Sequence, residues 1–125
     1  MTHAIETLEK LGYTLAVLED GNISVRGRPS SQAEAALSVL RADKARAALC
    51  LRQMEDFRRA KRAFRVAFDF FQAHFPPTMD ETYWVKTAED LGAACAALDS
   101  DPLGVDLLAA AWLRLESLAL EGGKA

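Results

Sequence analysis

The stretch from Lys44 to Phe75 contains neither glycine nor proline, and its apolar face does not stay on one side. At 100° per residue, the first part is centred on Ala47, Leu51 and Met54. From Phe57 onward the pattern moves to Phe57, Ala60, Phe64, Ala67, Phe68, Phe71 and Phe75, roughly 100° around the wheel. A straight helix with a rotating face serves two cores, and a kink around Arg52-Gln53-Met54-Glu55-Asp56 is the alternative. Either way a boundary between two structural units is expected near residue 54, dividing the chain into 1–52 and 53–125. A chain of 125 residues is long enough for one compact unit or two small ones.

Ahead of that stretch, Ile5, Leu8 and Leu11 recur at spacing three, the stripe of a short helix that Gly12 ends. Tyr13, Leu15 and Val17 then alternate with Thr14, Ala16 and Leu18, and Ile23 and Val25 alternate with Ser24 and Arg26. The Asp20-Gly21-Asn22 between them favours the positive φ of a tight hairpin turn. Strands are expected near 13–18 and 22–27. Two strands do not make a stable sheet alone, so the hairpin must lie on helices. Ser31 with Glu34 predicts a cap, followed by a stripe of Ala33, Ala36, Leu37 and Leu40 and a break at Arg41-Ala42-Asp43.

Pro76-Pro77 ends the long stretch, and Thr78 with Glu81 has the spacing of a capping box. Trp84, Ala88, Leu91, Cys95 and Leu98 form the next stripe. Asp101 and Pro102 suit the start of a last helix, which carries Leu108, Ala111, Trp112, Leu115, Leu118 and Ala119 on one face. The fold class read from this is α+β and mostly helical. It consists of an α-β-β-α-α unit with a two-stranded antiparallel hairpin, followed by a three-helix antiparallel bundle. Leu113 and Leu120 lie opposite the last stripe, and Phe70 and Val66 lie off the phenylalanine stripe. Leu113, Leu120 and Phe70 are therefore the expected self-association residues of a homodimer.

The order helix, hairpin, helix, helix carries specific residues: Leu8-Glu9-Lys10-Leu11-Gly12-Tyr13-Thr14-Leu15, Asp20-Gly21-Asn22-Ile23-Ser24-Val25-Arg26, and Leu37 to Leu40 leading into Arg41-Ala42-Asp43-Lys44-Ala45. Over about residues 4–52 this resembles the TubC-type N-terminal docking domain of modular peptide and polyketide synthetases. Similar domains stand at the N-termini of phage and mobile-element proteins. Two positions depart from the pattern: the family's Gly-Asp is here Asp20-Gly21-Asn22, and its Ala-Pro-Lys-Gly is here Gly27-Arg28-Pro29-Ser30. A helical bundle also follows where the family has a large enzyme. The resemblance implies a dimerising unit whose second strand accepts a short acidic partner segment through Ile23, Val25, Arg26 and Arg28.

Charge is divided unevenly. Residues 1–75 hold twelve Lys and Arg against nine Asp and Glu, and residues 76–125 hold three against nine, so the net −3 is the sum of +3 and −6. Arg58, Arg59, Arg62 and Arg65 form a basic face on the long stretch, the basis of an alternative reading as a nucleic-acid-associated accessory of a mobile element. Glu55 and Asp69, each four residues from one of these arginines, make a solvated face the simpler reading.

No catalytic constellation, phosphate loop or metal-ligand spacing is visible. His3 and His74 stand alone, Cys50 and Cys95 sit singly on helical faces, and Glu89-Asp90 read as a solvated pair. The expectation is a non-enzymatic docking or adaptor protein that needs no cofactor. The longest apolar run, Leu107 to Leu113, has seven residues against the ~20 of a membrane span. The opening Met1-Thr2-His3-Ala4-Ile5-Glu6 has no basic and apolar leader pattern, so no membrane association and a cytoplasmic setting are expected.

Overall fold

The computed structural model describes residues 1–123. Its elements are α1 (Thr2–Lys10), β1 (Thr14–Val17), β2 (Ile23–Arg26), α2 (Ser31–Ala42), α3 (Lys44–Ala73), α4 (Glu81–Ala97) and α5 (Pro102–Gly123). The fold is mostly helical α+β, with one two-stranded antiparallel sheet. The long stretch is one continuous helix without a break at Arg52–Asp56. The chain divides within α3 into two compact units, Met1–Phe57 and Arg58–Ala125.

In the first unit Ile5 and Leu8 of α1 are fully buried against Ala33, Ala36 and Leu40 of α2 and Ala47 and Leu51 of α3, with Leu15, Val17 and Ile23 closing the core from the hairpin. Gly21 turns the chain at φ 86°, and the Asp20 carboxylate accepts from the Asn22 amide at 2.9 Å. Those bonds hold Asp20 below the usual carboxylate range. The α2 cap is Ser30, whose Oγ accepts from the Ala33 amide, one residue before the expected Ser31. Asp43 both ends α2 and accepts from the Arg46 amide at the start of α3, so a single residue makes the break.

In the second unit Ala63, Ala67 and Phe70 of α3 pack with Leu98, Leu108 and Leu115, and Trp84 meets Trp112 edge to face at 5.2 Å. Asp80 caps α4 by accepting from the Thr82 amide, while Thr78 accepts from the Asp80 amide. Asp101 caps α5 through the Leu103 amide. The left-handed Asp99 and Ser100 form the turn between these helices.

Two expectations about α3 are corrected. Phe57, Phe64, Phe68 and Phe75 are 69, 57, 63 and 55% exposed and do not form the core. Phe70, assigned to self-association, is 6% exposed and inside it. The buried face of α3 in this unit is the one that carries Ala63, Ala67 and Phe70. On α4 the expected stripe holds at Trp84, Leu91, Cys95 and Leu98, but Thr87 is fully buried and Ala88 faces solvent.

Candidate docking groove

The hairpin carries the candidate site because, among the described residues, no strand pairs with β2 on its outer side. The register pairs Val17 with Ile23, Ala16 with Ser24, Leu15 with Val25 and Thr14 with Arg26. The Leu18 amide donates to the Asn22 carbonyl at 2.7 Å, which makes that pair hydrogen-bonded. By antiparallel alternation Ser24 and Arg26 bond to β1, and the amides and carbonyls of Ile23 and Val25 point out from the sheet.

Beside this edge runs an open groove of about 570 Å³. It is lined by Ile23 and Val25 of β2, by Leu37 and Leu40 of α2, and by Gly27, Pro29 and Tyr13. Ile23 is half-buried on the core, whereas Val25 is exposed. Gly27 is required here: a Cβ at this position would fall within the Tyr13 ring. The same tyrosine donates its hydroxyl to the Arg28 carbonyl at 2.6 Å, so ring and strand end hold each other.

The rim is basic. Arg41 and Lys44 line the groove at the α2–α3 junction. Arg41 also donates to Glu34 at 2.8 Å, a solvent-exposed pair, while Lys44, Arg26 and Arg28 make no ion pair among the described residues. Of the sequence-assigned residues, Ile23 and Val25 line the groove. Arg26 and Arg28 lie on the same strand and the loop after it, exposed but outside the lining. Sequence reasoning missed Leu37, Leu40, Arg41 and Lys44 as site residues; the period of α2 shows Leu37 and Leu40 as apolar but not which element faces them.

No known protein family, curated protein or solved structure matches the chain.

The basic face of α3 is used in part by the fold. Arg62 donates to the Ala97 carbonyl at 2.7 Å, satisfying the end of α4, and Arg59 lies 3.6 Å from Asp101. Arg65 is exposed. Leu113 and Leu120 are exposed on α5.

A second polar cluster lies in the helical unit. His74 is buried with Nδ1 3.1 Å from the Thr87 hydroxyl and Nε2 3.0 Å from Asp90, which also accepts from Lys86 at 3.0 Å. Thr87 donates its hydroxyl proton to the Tyr83 carbonyl at 2.7 Å, so the hydroxyl accepts from His74 and is no nucleophile toward it. The Tyr83 hydroxyl donates to the His74 carbonyl, and burial pushes that phenol up. The bond and charge of Lys86, with a smaller contribution from His74, hold Asp90 below the usual carboxylate range. Asp90 thus stays partly exposed while it bridges His74 and Lys86. Among the described residues no group of three or more His, Cys, Asp or Glu is placed to hold a metal, and no helix is long and apolar enough to cross a membrane.

Proposed function

We propose that the protein is a non-enzymatic docking protein, whose groove beside β2 takes an extended, acidic partner segment by strand addition. One observation carries this reading: the backbone of Ile23 and Val25, unpaired among the described residues, borders a groove in which apolar side chains lie beside Arg41 and Lys44. An added strand gains main-chain hydrogen bonds along the edge, alternate apolar side chains enter between Val25 and Leu37, and carboxylates meet the rim. The resemblance of residues 4–52 to TubC-type docking domains supports the same role for this strand, with Arg26 and Arg28 as its basic flank. The nucleic-acid alternative through Arg58, Arg59, Arg62 and Arg65 is supported less, since Arg59 and Arg62 already serve the α4–α5 turn.

The test is a titration with a short peptide alternating leucine and glutamate, against one alternating leucine and lysine. Binding is expected for the acidic peptide alone, weakened about tenfold or more by Arg41→Glu with Lys44→Glu and reduced by salt. Equal binding of both peptides, or binding indifferent to the double variant, contradicts the reading.

A further inference from the structure

The four exposed phenylalanines of α3 and its C-terminal turn share one line. At 100° per residue Phe57, Phe64 and Phe68 of α3 fall within about 40° of one another, and Phe75, two residues past the end of α3, joins them through its contact with Phe71. Phe71, half-buried, borders the line, and its ring stacks on Phe75 at 5.7 Å between centroids. An aromatic side chain offers about 150–250 Å², so at these exposures the four rings leave roughly 500 Å² per copy in water. That is the upper end of what a soluble monomer exposes in one patch.

The spacing identifies the occupant. The steps 57 to 64, 64 to 68 and 68 to 75 are seven, four and seven, which read the same from either end. We infer that α3 pairs with α3 of a second copy, antiparallel, about a two-fold axis at Val66. Phe57 then meets the second copy's Phe75, and Phe64 meets its Phe68. In heptad terms Phe57, Phe64 and Phe71 are d positions and Lys61, Phe68 and Phe75 are a positions, so every layer pairs a with d, as antiparallel seams do. A parallel pairing in register would set Lys61 against Lys61 inside the seam. The antiparallel one sets each Lys61 ammonium beside the second copy's Phe71 ring, an attractive cation–π contact.

The area agrees with a dimer. Two copies bury roughly 1,000 Å² from the rings, and the stems of Lys61, Arg65 and Gln72 beside the line extend this into the ~1,200–2,000 Å² of a stable interface. One contact is unfavourable: Arg65 flanks the seam next to the axis, so it faces its own symmetry mate. A lipid surface would also accept a phenylalanine stripe beside Lys61 and Arg65, but nothing in lipid binding requires spacing that reads alike in both directions. The inference rests on reading the chain as an interaction protein, but it does not involve the groove, and it places the self-association surface on α3 instead of Leu113 and Leu120.

The full chain is tested by sedimentation equilibrium across the micromolar range. A monomer–dimer equilibrium is expected, weakened at least about 30-fold by Phe64→Glu with Phe68→Glu and also by the milder Phe57→Ala with Phe75→Ala. It should be unchanged by Leu113→Ala with Leu120→Ala and tightened by Arg65→Gln. A spin label at Glu55→Cys, on the side of α3 away from the seam, in a Cys50→Ser and Cys95→Ser background, should report a separation beyond about 33 Å, the offset along the helix axis, against roughly 20 Å for a parallel pair whose labels share one level. The Phe64/Phe68 variant should still bind the acidic peptide, so the two readings fail separately. A monomer throughout, a dimer that survives both phenylalanine variants, one lost with Leu113 and Leu120, or the short label distance overturns the inference. So does a monomeric wild type that binds phosphatidylserine vesicles through the same four rings.

Discussion

Replacing Phe70 and Phe68 by alanine, one at a time, measures which face of α3 the bundle uses. The two residues are of one type, two positions apart, and differ only in direction: Phe70 is 6% and Phe68 63% exposed. Phe70→Ala removes a ring packed among Leu98, Leu108 and Leu115 and beside His74 at 4.9 Å, so it costs about 3–5 kcal/mol, transfer and cavity together. Phe68 has about a third of its surface buried, and burying a phenylalanine fully contributes about 1.5–3 kcal/mol, so Phe68→Ala costs ~1 kcal/mol or less. At about 4–8 °C per kcal/mol for a unit of this size, the melting temperature should fall by at least ~12 °C in the first case and by a few degrees in the second. Both tryptophans, Trp84 and Trp112, lie in this unit, so tryptophan fluorescence during urea unfolding reports on it selectively. The measurement belongs at submicromolar protein, where self-association contributes nothing. Equal losses, or a greater loss for Phe68→Ala, would refute the assignment of the buried face.

Gly27→Ala should push the Tyr13 ring from its seat, costing the first unit about 1–3 kcal/mol by circular dichroism and weakening groove binding in parallel. Thr87→Val keeps the shape but leaves His74 Nδ1 without its acceptor, so tryptophan-detected stability should drop by about 1–3 kcal/mol. Asp90 is held below its ordinary value in the folded state, so its contribution is present above the unfolded carboxylate range and disappears as pH falls through that range and below. Urea unfolding of the helical unit below about pH 4 should therefore show a loss that Asp90→Asn diminishes.

Local signals carried most of the architecture. The hairpin is legible in Asp20-Gly21-Asn22 between alternating runs, and α5 in a stripe whose Leu108, Leu115 and Ala119 are all buried. The inward face of α3 was not, because a hydrophobicity wheel weighs phenylalanine above alanine, whereas the buried cluster takes Ala63 and Ala67 together with Phe70. Thr87 is similarly hidden: its burial depends on His74, thirteen residues away, supplying the partner its hydroxyl needs. At the groove, period-two alternation marks Ile23 and Val25, but Leu37, Leu40, Arg41 and Lys44 join them only through tertiary packing of α2 and the start of α3 on the hairpin. The hydrogen-bonding phase of β2, which turns Ile23 and Val25 outward, follows from the register of the turn and not from composition.

Docking at the β2 edge is tested most directly by amide hydrogen exchange at Ile23 and Val25 in the presence of the leucine–glutamate peptide. Strand addition predicts that these two amides slow together, while those of Ser24 and Arg26, already bonded to β1, change little. Peptide binding that leaves Ile23 and Val25 exchanging at their free rates would contradict it.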